Sequence, residues 1–473
     1  MTETITSEAP ALSPRRRWTV LAICASALFL VGLDTTIVTA GLSEIGHGLG
    51  TSVDRLAWVV DAYTVTFAGL LITAGAVADR FGRRRVFRTG LVVFAVSSLA
   101  CAAAPSLPFL VAARIGQGVG ASMMTPVALA IVVSAMPDPR ERAQAIGVWG
   151  AMFGLSMAAG PVSGGALIAL FDWRAVFWIN VPLVLVAILL VRAFVPESRG
   201  ARTRRLDVPG QLLLVALLWI AVTVLIEGPR VGWTAPSTIL GYVAVAGLTA
   251  ALVRVETRRD EPLIEPRLFL VPHVAGAVVG AVAVFVAFSM TLLMTTLFLQ
   301  RVTGWSAVAA GAATLPMAVG ATVCAPVSGY LVGRAGPRVP LLLAGGCLTL
   351  GGALLACLTA GMNLALLLTA LALIGIGVGF ANAPITQTAV SGLPPERAGV
   401  AAGTASTARQ LGTAFGVALA AGLVADATAA GFVTAALPGW LVVAGCGVVL
   451  VPVAVVSEPE ARGDVTERRI PVR

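Results

Sequence analysis

The chain has 473 residues, 58% of them hydrophobic and only 12% charged, with a formal net charge of +9 and a mean hydropathy of +0.93. A soluble domain is about a quarter charged, so this composition excludes a water-soluble globule, and one polytopic membrane protein replaces the roughly three soluble domains that length alone suggests. All 32 Lys and Arg positions are arginine; without lysine a GxxxxGK[ST] nucleotide loop is excluded, and transport work must draw on a gradient, a substrate or a separate ATPase subunit.

Apolar runs long enough to cross roughly 30 Å of hydrocarbon recur along the chain. In order they are expected at 18–41, 56–78, 86–104, 107–134, 143–170, 175–196, 208–227, 236–255, 273–299, 307–333, 339–359, 362–390, 400–425 and 437–457, fourteen spans in all. The first follows a basic flank, "PRRRW", but exceeds the 7–15 residues of a signal core, so it reads as a span that stays. The six cysteines lie inside apolar runs without CxxC spacing and read as packing residues; His47 and His273 stand far apart, so no metal site is expected.

Arginine placement sets the orientation. With the N-terminus inside, 26 of the 32 arginines fall on inner segments, while the outer loops hold Arg55, Arg174, Arg230 and Arg301. Both termini are therefore expected on the cytoplasmic side of the plasma membrane.

An internal repeat divides the chain. "GAVADRFGRR" (75–84) is echoed by "GYLVGRAGPR" (329–338) at an offset of 254, "ERA" recurs at 255, and "GQGVGA" (116–121) returns as "GIGVGF" (375–380) at 259. Spans one to six match spans nine to fourteen, and spans seven and eight are an insertion. The organisation this predicts is an N-terminal tail (1–17), a six-helix bundle (18–196), a linker region with two extra helices (197–272), a second six-helix bundle (273–457) and a C-terminal tail (458–473). Two six-helix halves of like orientation are the architecture of a rocking transporter.

"GAVADRFGRRR" (75–85), "RIGQGVGA" (114–121), "GLSMAAGPVSGG" (154–165), "LDTTIVTAGL" (33–42) and "DWRAVFWINVPL" (172–183) together resemble the major facilitator superfamily, and within it the fourteen-span drug:proton antiporters. The resemblance covers nearly the whole chain. It implies an all-α fold of two six-helix bundles plus two inserted helices, no enzymatic activity, no bound cofactor, the proton gradient as energy source, protons and a small molecule as partners in a lipid bilayer, no nucleic acid, and action as a monomer. It also implies that Gly75, Asp79, Arg80, Gly82, Arg83 and Arg84 form a latch between the halves on the cytoplasmic side; the alternative is a simple positive anchor. Gly333 replaces the acid in the second copy, so no matching latch is expected there. Gly154, Gly160, Pro161, Gly164 and Gly165 form the antiporter motif: small residues let helices approach closely and proline bends the span. The family implication is a flexible span that favours export and limits leak; tight packing is the plainer reading. "GQGVGA" lies inside a membrane helix rather than after a strand, so it is no dinucleotide loop.

Charges inside spans are costly and default to function. Counted at 1.5 Å per residue, Asp34, Asp61 and Arg114 lie roughly 12, 8 and 10 Å below the outer face of the first bundle. A carboxylate balanced between apolar burial and a nearby arginine can exchange protons near neutral pH, so these three are the expected proton-coupling residues; the alternative is an ion pair without a transport role. The expected substrate pocket takes in Asp34 and Asp61 with Trp58, Tyr63, Gln117, Met123, Phe153, Phe285, Asn382, Arg409 and Gln410. Spans nine, ten and twelve carry no acid, which weighs against dicationic substrates. The function expected is proton-coupled export of hydrophobic drugs or antibiotics, cationic ones included, or else dedicated export of one natural product made by the host. A membrane-embedded enzyme or sensor has neither a metal cluster nor a nucleophile motif to support it.

Overall fold

Hydrocarbon offers no water to a peptide group, so a chain this apolar satisfies its backbone within helices. The computed structural model describes residues 13–136, 138–199, 207–259, 261–359, 363–391, 395–424 and 427–457, and holds no strand among them. Its helices are α1 (Pro14–Leu49), α2 (Val53–Phe81), α3 (Arg83–Ala102), α4 (Leu107–Ala135), α5 (Pro139–Leu170), α6 (Ala175–Trp178), α7 (Asn180–Phe194), α8 (Val208–Val231), α9 (Pro236–Glu256), α10 (Pro272–Leu297), α11 (Ala307–Ala313), α12 (Leu315–Ala335), α13 (Arg338–Ala356), α14 (Leu364–Val390), α15 (Pro395–Val424) and α16 (Phe432–Val456). Most of the tail expected at 1–17, and the whole tail at 458–473, lie outside the described residues.

Twelve units among the described residues are long and apolar enough to cross a membrane, α6 with α7 and α11 with α12 each counting as one. Pro182 and Pro316 cannot donate to the preceding turn, and the two spans expected as continuous are broken just before them. Others run longer than expected. The span predicted at 18–41 is 36 residues long, because nothing stops the helix until Gly50 turns it off at φ +61°.

The packing repeats with the sequence. α1 lies on α5, α2 on α4, and α3 on α4 and α7; likewise α10 lies on α15, α12 on α14, and α13 on α14 and α16. The Thr36 hydroxyl of α1 donates to the Ser156 carbonyl of α5 (3.2 Å), and the Ser289 hydroxyl of α10 donates to the Thr413 carbonyl of α15 (2.9 Å). Gly82 and Gly336, matched in the repeat, both turn the chain at positive φ (+108° and +77°). Pro126 and Pro384 interrupt α4 and α14. The Phe380 carbonyl that Pro384 leaves without an amide accepts the Ser328 hydroxyl of α12 at 2.7 Å.

Between these two sets of helices, α2 packs on α15, and α5 packs on α11 and α12. α8, paired with α9, touches both α2 and α15 across their seam. At the end of the molecule where α1 finishes, the Gln300 amide donates to the Ala40 carbonyl (3.4 Å). α10 is buried without interruption from 283 to its end at 297, whereas residues 275, 276, 278 and 279 nearer its start are partly or fully exposed. α10 is thus packed more closely at that end than at the end where α1 begins.

Candidate functional site

Asp34, in the middle of α1, and Arg114, on α4, are both fully buried. Arg114 Nη1 lies 2.5 Å from Asp34 Oδ2 and 2.8 Å from Gln117 Oε1, and Nε donates to the Val59 carbonyl of α2 (2.8 Å). The other Asp34 oxygen, Oδ1, accepts from Asn180 of α7 (2.8 Å) and Gln117 (3.3 Å). The Ser98 hydroxyl of α3 accepts from Asn180 and Gln117 (3.0 and 2.9 Å) and donates to the Phe177 carbonyl. Nη2 of Arg114 has no hydrogen-bond partner, but the guanidinium lies 4.3 Å from the centre of the Tyr63 ring, an attraction that partly replaces the missing bond. Five helices thus meet on one buried ion pair. Removing either charge from such a pair is expected to cost about 3–5 kcal/mol, since it strands the other.

Asp61 does not join this network, although sequence depth places it level with Asp34. It too is fully buried, yet neither carboxyl oxygen meets a hydrogen-bond partner. The reason is helical phase: Val59 and Tyr63 face Arg114, and Asp61, two residues from each, turns away. Its stripe continues through Ala68, whose carbonyl accepts from Thr407 (3.4 Å), and Ile72, against which Gly403 packs. That antiparallel register carries Asp61 to the level of Ala414, on the seam between α2 and α15.

The expected pocket residues divide. Tyr63 and Gln117 belong to the Asp34 network. Trp58 lies apart, stacking on Trp219 of α8 (5.9 Å between centroids) and donating to Glu227 (3.2 Å). Met123 is half-buried, against Gly90 of α3. Phe285 is buried edge-to-face with Phe288 and packs against Gly412, so it holds α10 to α15. The Phe153 side chain lies outside the described residues. Asn382, Arg409 and Gln410 are half-buried on α14 and α15. Arg409 donates to the Ser406 hydroxyl (2.5 Å) and the Thr386 hydroxyl (3.4 Å).

The glycines of α5 face two ways. A Cβ on Gly160 would meet the Thr36 hydroxyl, and one on Gly164 would lie 2.8 Å from Ile37, both on α1. Gly154 sits against Thr322 of α12, and a Cβ on Gly165 would stand 2.6 Å from the Ala307 carbonyl of α11. The carbonyl of Pro161 is turned to Gly311 of α11. α5 is therefore pressed between α1 and the second set of helices with no room for a methyl group.

A family model described as the Major Facilitator Superfamily matches residues 24–417. The chain belongs to the major facilitator superfamily. Among its relatives, the multidrug resistance protein Stp of Mycobacterium tuberculosis (strain CDC 1551 / Oshkosh) is 37% identical over 84% of this chain and 74% of its own. The puromycin resistance protein pur8 of Streptomyces alboniger is 37% identical over 88% of this chain and 83% of its own. Among solved structures, a bacterial homolog to the human lysosomal transporter Spinster, inward-facing and unoccupied, aligns with a TM-score of 0.63 at 18% identity over 94% of this chain and 97% of that one. The fold is therefore that of a family of membrane transporters, not of enzymes.

In this major facilitator chain the α2–α3 loop is tied to its own half. Arg83 bonds Asp79 through Nε (2.9 Å) and Nη2 (2.8 Å), and its Nη1 reaches the Ala130 carbonyl (3.2 Å) and Ser134 of α4. The Arg84 amide donates to Glu197 (3.0 Å) and its guanidinium to the Arg192 carbonyl (3.0 Å). Gly82 is held against Glu197, Arg80 is exposed beside Phe81, and Gly75 has nothing above it within 4 Å. None of these contacts reaches the second set of helices. Sequence reasoning missed Ser98 and Asn180, which complete the Asp34 network, and the Arg17–Glu141 ion pair (2.8 Å) that ties the start of α1 to α5. Asn180 stood inside the "DWRAVFWINVPL" signature, the one signal that could have found it.

Proposed function

We propose that this chain is a proton-driven exporter of hydrophobic drugs or antibiotics, working by alternating access in the plasma membrane with both termini in the cytoplasm. The observation that carries the reading is the buried Asp34–Arg114 pair, which holds an ionisable group at the meeting point of five helices. Membrane-buried carboxylates of this kind are the usual proton carriers of transporters. On this reading Asp34 exchanges its proton against Arg114. Asp61 gains or loses a charge on the α2–α15 seam, where a change of charge bears directly on how the halves sit together. α5 and α15, 32 and 30 residues long, are read as the two further crossings that make fourteen, with 18–196 and 273–457 as the moving bundles and α8–α9 as the insertion. The protein is read as a monomer without a cofactor.

The relatives named for multidrug resistance and for puromycin resistance support an export role and favour two breadths of specificity equally. Dedicated export of one compound made by the same cell is therefore the second reading. The test is accumulation in everted vesicles energised by a pH gradient, with a panel of dyes and antibiotics. Accumulation that collapses with a protonophore is expected. Accumulation that survives it would remove proton coupling, and a response to a single compound would favour the dedicated exporter.

A further inference from the structure

Arg409 is half-buried, and it is the one charge near the middle of the described spans that is neither fully buried nor matched by a counter-charge. It stands near the midpoint of α15 (Pro395–Val424), and its guanidinium bonds only the hydroxyls of Ser406 and Thr386 among the described residues. A guanidinium carries five N–H donors, so most of its capacity is open. Thr386 and Gln387 beside it are exposed, and Gln410 and Asn382 are half-exposed. An ionisable side chain within a span faces the bundle interior or a water-filled cavity rather than lipid, and Arg409 with its polar neighbours is read in that way. The other intramembrane charges are not available to a ligand. Asp34 and Arg114 neutralise each other out of solvent, and Asp61 is fully buried. α10, α12, α13, α14 and α16 contain no Asp or Glu at all.

We infer that Arg409, flanked by Thr386 and Gln410, is an anion subsite, and that the exported compounds include hydrophobic molecules bearing a carboxylate or a similarly delocalised oxyanion. A planar fork of donors suits two oxygens sharing one charge. An anion there neutralises a cation otherwise held in the membrane without a partner. A cationic group at the same place is repelled. The inference rests on the export reading and narrows its substrates.

The test is equilibrium binding to the purified full-length protein in detergent, read by thermal stabilisation, with naphthoate and its methyl ester as probes of equal frame and different charge. Naphthoate is expected to bind the unmodified protein roughly tenfold or more tightly than the ester, the scale of a charge-assisted pair. Arg409→Gln should bring naphthoate down to the level of the ester, and Arg409→Lys should restore part of the difference. Naphthoate binding no tighter than the ester, binding of neither probe, or full naphthoate affinity in Arg409→Gln overturns the subsite. The acid–ester comparison in the unmodified protein stands even if a variant fails to fold. No gradient is used, so a failure of proton coupling leaves this result untouched, and a failure here leaves gradient-driven export of uncharged compounds standing.

Discussion

Asp34 and Asp61 are the same residue type at similar depth, and the structure treats them oppositely. Asp34 has three donors, one of them a guanidinium; Asp61 has no hydrogen-bond partner. Leucine substitution should separate them. Asp34→Leu strands Arg114 and is expected to lower stability by about 3–5 kcal/mol. Asp61→Leu removes an unsatisfied buried group and should leave the thermal midpoint unchanged or raise it, while impairing transport. A midpoint in Asp61→Leu as low as in Asp34→Leu would reveal a partner for Asp61 in the folded protein. The charges were legible in the sequence because an acid or arginine in an apolar run stands out. Ser98 and Asn180 were not, because a neutral polar residue in a span costs little and signals nothing by itself. Nor could depth counting separate Asp61 from Asp34: depth follows from residue number, whereas the facing of a side chain depends on which neighbour each helix packs against.

Among the helices α5 is closely constrained by its sequence. Its glycines are in contact on two sides, and at Gly165 the opposing atoms are backbone, which has no rotamer by which to yield. Gly165→Ala is therefore expected to destabilise by about 1–3 kcal/mol, the usual range for overpacking. Gly75→Ala, in α2 with nothing within 4 Å, should be neutral or gain up to about 1 kcal/mol from better helix propensity. Thermal melts of the two variants in detergent compare them directly, and equal melts would mean that α5 is not tightly seated. The antiporter motif was readable as close packing, since small residues at four-residue spacing mean just that. Which helices it packs between was not, because α11 and α12 lie some 150 residues further along the chain and reach α5 through the tertiary fold alone. Helix ends were misjudged where hydropathy faded before a capping glycine stopped the helix, as at Gly50.

At the scale of the whole molecule, the repeat in the sequence reappears as a repeat in packing, and the halves meet along α2–α15 and α5–α11–α12. At the end where α1 finishes they are joined by Gln300 and Ala40. If the halves rock, tying this end shut should stop transport. Ala40→Cys with Gln300→Cys, bridged by a short bis-maleimide that alkylates both thiols, is expected to abolish export while leaving substrate binding from the opposite end; export at an undiminished rate in the bridged protein would show that this end does not open. Rocking driven by protons is the central claim, and one measurement addresses it most directly: transport by Asp34→Asn in proteoliposomes, comparing gradient-driven accumulation with substrate exchange in the absence of a gradient. Exchange should persist, since it needs only a folded transporter, and accumulation driven by the pH gradient should be lost. Full gradient-driven accumulation in Asp34→Asn would contradict the account.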